Sequence, residues 1–197
     1  MNYSPSTGDL FEMCARRGWY LKGQGVFDPP TPALETGTTV HEALDMYLQT
    51  GTWPDEGTEF DNRGETLTIE ARHLQIAQAG EHHLSPLLGT IRPELWTRAP
   101  LVSGMGMVGK IDMSDMTGDV ARSLFPLSEL PSHDVPYIGD HKTTSSFNYT
   151  KSAQALRWNA QMLLYAGAAV LDVDGKFGSV FSGSNQPEVV AVQHIYY

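Results

Sequence analysis

At Pro93 the spacing of apolar residues changes from a helical period to a period of two, and near Ser152 it changes back. That double switch predicts an α/β fold, a mixed central β-sheet flanked by helices, an expectation that a helical bundle would refute. Strands are expected near 94–99, 105–114, 135–142, 179–182 and 188–197, the last rich in Val189, Val190, Val192, Ile195 and Tyr196. A chain of 197 residues can bury one core without disulfides or structural metals. The expected organisation is a single domain, 1–197, with a mainly helical part at 1–92 and an αβ core at 93–197.

Within the helical part, Ser6 to Lys22 reads as an opening helix with Leu10, Met13, Cys14 and Arg17 on one side. Gly23 to Glu35, with Pro29, Pro30 and Pro32, reads as a surface loop. A second helix is marked by Thr39 and Glu42 as a capping box, then Val40, Ala43, Leu44, Tyr47 and Leu48 at helical spacing, with Gly51 as its stop. This places His41 in a first turn, where the helix N-terminus disfavours a charged imidazole. Trp53 to Asn62 is an acidic connection and Glu65 to Ala79 a third helix. Beyond the strands, Thr117 to Asp134 reads as a long polar connection. Ser152 opens a helix to about Leu171, with Gln154, Trp158, Gln161 and Tyr165 on one stripe.

Two of the expected strands carry charge where burial is expected. In Val135-Pro136-Tyr137-Ile138-Gly139-Asp140-His141-Lys142, alternation sends Ile138, Asp140 and Lys142 to one face. In 105–114 the same rule groups Val108, Lys110 and Asp112. A carboxylate beside an ammonium at a half-buried strand end costs desolvation unless each is paired or holds a metal. Taken alone, an Asp-x-Lys string is common and a solvated strand end accounts for it; its company in the chain is what gives it weight.

The net charge of −10 argues against a broad basic surface that grips nucleic acid through phosphates, so any such contact must be local. Acids gather between Asp55 and Glu70, and carboxylates are what hard cations require. Cys14 is the only cysteine, which excludes an internal disulfide, a thiolate zinc site and a four-cysteine iron–sulfur cluster; the thiol is expected buried and inert. No run of about 18 apolar residues is present and the first residues lack a signal pattern, so a cytoplasmic protein without membrane contact is expected. Arg16, Arg17, Trp19 and Tyr20 could meet a nucleic-acid strand by charge and stacking, or could serve packing and solvation alone.

In order, the chain offers Gly37-Thr38-Thr39-Val40-His41, Glu94, Gly109-Lys110-Ile111-Asp112, Asp140-His141-Lys142-Thr143 and Gln161-Met162-Leu163-Leu164-Tyr165. This succession resembles the RecB-like branch of the PD-(D/E)XK nuclease superfamily, which includes phage and CRISPR-associated exonucleases. Cys14-Ala15-Arg16-Arg17-Gly18-Trp19-Tyr20-Leu21-Lys22 is similar to that branch's N-terminal helix. The resemblance spans nearly the whole chain and implies a restriction-endonuclease-like core with N-terminal helices.

The resemblance implies that Asp112 and Asp140 are metal-binding carboxylates, Lys142 the catalytic lysine and His41 a further ligand. Glu94 joins the catalytic set behind or beside the metal, the backbone carbonyl of His141 completes the coordination, and Gln161 and Tyr165 order the site or touch DNA. Arg16, Arg17, Trp19 and Tyr20 join the substrate-binding set. The implied activity is a metal-dependent DNA exonuclease in phage-type recombination or end processing, inside a bacterial or phage-infected cell. It would use one or two Mg²⁺ or Mn²⁺ ions and no iron–sulfur cluster, with DNA as partner and a second copy or a recombination protein as candidate associates. A divalent ion offers such a reaction charge on the phosphoryl oxygens and a more acidic water. A structure-selective endonuclease on the same site, or a degenerate nuclease fold serving as a binding or assembly protein, stays open beside it.

Overall fold

The computed structural model describes residues 2–3, 14–26, 29, 31–62, 64–102, 105–126, 128, 130, 135–144, 148, 150–156, 159–171 and 190–197. In chain order they form β1 (Asn2–Tyr3), α1 (Ala15–Gly18) running into a π-turn at Trp19–Gly23, α2 (Pro32–Thr50), β2 (Glu59–Asn62), β3 (Glu65–Thr68), α3 (Ala71–Gln78) and α4 (Glu81–Leu84). There follow β4 (Arg92–Val102), β5 (Met105–Asp115), α5 (Asp119–Leu124), β6 (Tyr137–Lys142), α6 (Ala153–Leu156), α7 (Ala160–Leu171) and β7 (Ala191–Tyr196). The sheet is mixed, with helices flanking it. Strands β4, β5 and β6 are antiparallel neighbours, β7 lies parallel to β6, and β1 adds a short parallel pairing to the start of β5. Joining parallel neighbours needs a crossover, and α7 lies on that path.

Tyr137 and Ile138 are consecutive on β6, so they point to opposite faces, and they belong to two separate cores. Tyr137 packs with Val40, Ala43, Leu44, Tyr47 and Leu48 of α2, and Ile138 with Ile111 of β5 and Met162 and Tyr165 of α7. Helices α2 and α7 therefore cover opposite faces of the strand that carries Asp140 and Lys142. Gly37 lets α2 close onto the exit of that strand: a β-carbon there would stand 3.0 Å from Thr143 Oγ1.

Several local expectations are corrected. Helix α2 begins at Pro32, not Thr39. Thr31 Oγ1 accepts from Leu34 N at 3.2 Å, and Pro32 occupies the first turn, where its missing N–H costs nothing. Thr39 lies inside the helix and donates its hydroxyl to Glu35 O at 2.9 Å, so it cannot cap. The helix does end at Gly51, which takes φ 73° and donates to Tyr47 O at 2.7 Å.

The acidic stretch and the start of the expected third helix form an antiparallel ribbon, β2 with β3. Thr66-Leu67-Thr68-Ile69 alternates β-branched and apolar residues, and Asp61 Oδ2 accepts from Gly64 N at 3.1 Å across the turn, so strand geometry prevails. Helix starts only at Ala71, where Glu70 and His73 make a reciprocal cap. The expected polar connection after Thr117 contains α5, anchored by Asp115, whose Oδ2 accepts from Val120 N at 2.9 Å.

Cys14 is exposed rather than buried, because it stands ahead of α1 as its N-cap residue instead of in an apolar stripe. The opening helix from Ser6 to Met13 and the strand at 179–182 lie outside the described residues. No helix among the described residues is long and apolar enough to cross a membrane.

Candidate active site

The β5–β6 ladder runs from Asp115 paired with Tyr137 to Met113 paired with Gly139. Carried one step further, the same register sets Asp112 opposite Asp140. There the carboxylate replaces the backbone partner: His141 N donates to Asp112 Oδ2 at 2.8 Å. Asp140 is 1% exposed. Its Oδ1 accepts from Gln161 Nε2 at 2.7 Å, and its Oδ2 forms an ion pair with the Lys142 ammonium.

Gln161 bridges the acid and the base. Its amide oxygen accepts from Lys142 Nζ at 3.3 Å, while Nε2 donates to Asp140 and also to Tyr165 OH at 3.0 Å. Flipping the amide would set its NH₂ against an ammonium and its oxygen against a carboxylate, so the network selects one orientation. Tyr165 passes its own proton to Lys110 O at 2.5 Å, which ties α7 to β5. The four-residue spacing of Gln161 and Tyr165 puts both on the same side of α7.

His41 reaches the site from the other face. Its Nδ1 lies 3.7 Å from Asp112 Oδ2, and its ring meets the ring of His141 edge-on. Burial pushes its pKa down to about 4, with the Asp140 charge as the main opposing effect, so the imidazole is neutral at pH 7. The cause is burial and not a helix N-terminus, since His41 lies well inside α2. The His141 side chain points away from Lys142. Its Nδ1 is 3.0 Å from Tyr197 OH, its ring meets that of His41 edge-on at 5.8 Å, and burial lowers its pKa to about 3.

Both aspartates are held above the ordinary carboxylate range by burial. For Asp140 the Asp112 charge adds to this while Lys142 opposes it; for Asp112 the His141 N–H and then Lys142 oppose it.

Compared with known protein families, curated proteins and solved structures, the chain finds no match.

Glu94 is placed apart from the Asp140 network. It falls between the pairs Pro93 with Met113 and Leu95 with Ile111, and takes φ 51°, a conformation rare outside glycine. Its carboxylate is paired with the Lys110 ammonium. One oxygen from each of Glu42, Asp45 and Glu94 gathers within 4.8 Å of the others. Asp45 is buried, and that burial, helped by the Asp112 charge, lifts its pKa to about 8. The Lys110 charge opposes the rise at both Asp45 and Asp112.

Arg16, Arg17, Trp19 and Tyr20 form an exposed patch on α1 and the π-turn, with the Arg16 guanidinium 5.8 Å from the Tyr20 ring centre. The network around Asp140 is built without them.

Asp45 and His194 escaped the sequence reading. Asp45 follows His41 by four residues on one helix face, a spacing that could have found it. His194 Nε2 lies 3.6 Å from Asp140 Oδ2, yet paired residues of the two strands are 54 positions apart and no local pattern marks the pairing.

Proposed function

We propose that this chain is a divalent-metal-dependent DNA nuclease of the RecB-like PD-(D/E)XK type, hydrolysing phosphodiester bonds from DNA ends. The observation that carries the reading is the network of Asp140, Lys142 and Gln161, with Asp112 fastened beside it through the His141 N–H and neutral His41 3.7 Å from Asp112. A restriction-endonuclease-like core belongs to the same reading, supported by three antiparallel strands, α7 and a parallel β7 in that order.

The residues fit a divalent cation. Asp140 Oδ2 is buried and accepts no hydrogen bond of good geometry from the described residues, although the Lys142 ammonium lies against it. Asp112 offers a second carboxylate and His41 an imidazole lone pair, a donor set that suits Mg²⁺ or Mn²⁺. A bound ion would supply charge to the phosphoryl oxygens and a more acidic water. Lys142, steered by the Gln161 amide oxygen, brings a positive charge toward the reacting phosphate. Gln161 and Tyr165 hold Asp140 and Lys142 in register. In a chain of net charge −10 the DNA contact is local, and the Arg16, Arg17, Trp19 and Tyr20 patch combines charge with stacking surfaces for it.

The test is incubation with end-labelled linear and covalently closed DNA in Mg²⁺, Mn²⁺ or chelator, with Asp140→Asn as control. Metal-dependent shortening of linear DNA, abolished by the substitution, is expected. Nicking of closed circles would make the enzyme an endonuclease, and no cleavage of any DNA by the wild-type protein would overturn the reading.

A further inference from the structure

We propose that His194 is the positioning residue of Asp140, holding the Oδ2 edge of that carboxylate from the neighbouring strand while Lys142 turns to substrate. The inference rests on the nuclease reading above and adds a residue to it.

The parallel register pairs Asp140 with His194 directly, and the His194 side chain is 1% exposed. One tautomer is assigned to it. Tyr196 OH accepts from Lys151 N at 2.9 Å and has its own proton to give to His194 Nδ1, 3.2 Å away. Nδ1 is then the acceptor and Nε2 carries the proton. That Nε2 has no hydrogen-bond partner among the described residues and faces Asp140 Oδ2 at 3.6 Å. An inward shift of about half an ångström would make it a hydrogen bond.

A strand position needing only bulk would take an apolar residue, because burying an unpartnered ring N–H is unfavourable. The placement has a use in the proposed reaction. Asp140 Oδ2 is shared between Lys142 and His194, and only Lys142, on the half-exposed side, can move outward. When the ammonium leaves the carboxylate, Gln161 still holds Oδ1, and among the described residues His194 is the protein group left facing Oδ2, beside any ion bound there. Partners standing behind a metal-binding carboxylate act in this way, by fixing its orientation.

The experiment compares wild type, His194→Phe, which keeps ring bulk without the donor, and His194→Gln, which keeps a donor near the Nε2 position. Each is measured for Mn²⁺ binding by calorimetry, for kcat and KM on linear DNA, and for melting temperature. His194→Phe is expected to weaken Mn²⁺ binding or lower kcat by about 10- to 100-fold with KM for DNA little changed, and His194→Gln to recover most of that loss. Wild-type behaviour in His194→Phe, or equal defects in Phe and Gln at normal melting temperature, would overturn the proposal. Should His194→Phe fail to fold, Tyr196→Phe removes the proton that sets the tautomer; it is expected to weaken Mn²⁺ binding, and unchanged binding there overturns the proposal equally. Absence of metal-dependent cleavage in the wild type sinks the nuclease reading itself, a result separate from any difference among the His194 variants in Mn²⁺ binding.

Discussion

His141 gives its backbone N–H to Asp112 Oδ2 at 2.8 Å, just beyond Met113 with Gly139, the last ladder pair of β5 and β6. The bond fastens the two strands at the place where their backbones stop pairing, and it leaves the side chains of Asp112 and Asp140 at one opening of the sheet. Helix α2 brings His41 to that opening and α7 brings Gln161, each from its own face.

Asp140→Asn should abolish metal-dependent cleavage while the protein stays folded. The substitution removes a buried charge whose ionisation burial already opposes, and this offsets the loss of the Lys142 ion pair. Activity is expected to fall by more than about a hundredfold, beyond the usual cost of losing an outer partner. Cleavage assays beside a melting curve check it, and wild-type rates would remove Asp140 from the site.

His41→Ala should lose metal affinity, with excess Mn²⁺ restoring part of the rate because a higher ion concentration refills a weakened site by mass action. Its stability effect has a defined pH dependence. With a folded pKa of about 4 against 6.5 when unfolded, His41 contributes stability that is present above pH 6.5 and lost as pH falls toward 4. The melting-temperature gap between wild type and His41→Ala should therefore shrink on acidification from pH 6.5 to about 4. A gap that widens over that range would contradict a buried neutral imidazole.

Asp45→Asn should stabilise the metal-free protein, and more so as pH rises. Asp45 keeps its proton when folded up to about pH 8 but loses it near 3.8 when unfolded, so its contribution to stability declines across that window. Each pH unit there is worth at most about 1.4 kcal/mol to the difference between the two proteins. Thermal melts at pH 5, 6, 7 and 8 give the slope; a gain that is flat with pH would show that Asp45 is ionised in the folded state.

Gln161→Leu should lower kcat by about 10- to 100-fold, the range for a partner that orients a site carboxylate, with little change in KM. Lys142 would lose its amide acceptor and Asp140 Oδ1 its donor at once. Gln161→Glu should be worse than Gln161→Leu, since it sets a second carboxylate against Asp140 in a buried place. Equal rates for the two variants would mean that charge at this position does not matter.

Local chemistry determined much of this molecule. Alternation in 105–114 and 135–142 marks strands because side chains repeat every second residue, and it already groups Asp140 with Lys142. Helical spacing places Gln161 and Tyr165 together on α7. The α2 start differs for an equally local reason: Thr39 and Glu42 carry a capping pattern, but Thr31 with Pro32 carries a stronger one, with its cap eight residues earlier. Only the tertiary structure decided that Asp112 stands opposite Asp140, that His194 lies behind it, and that Glu94 turns to Lys110, Glu42 and Asp45. Those relations depend on strand register and on which helix covers which face. Register and packing are set by the burial of Tyr137, Ile138, Leu44 and Met162 across distant segments, and no short window of sequence contains both members of such a pair.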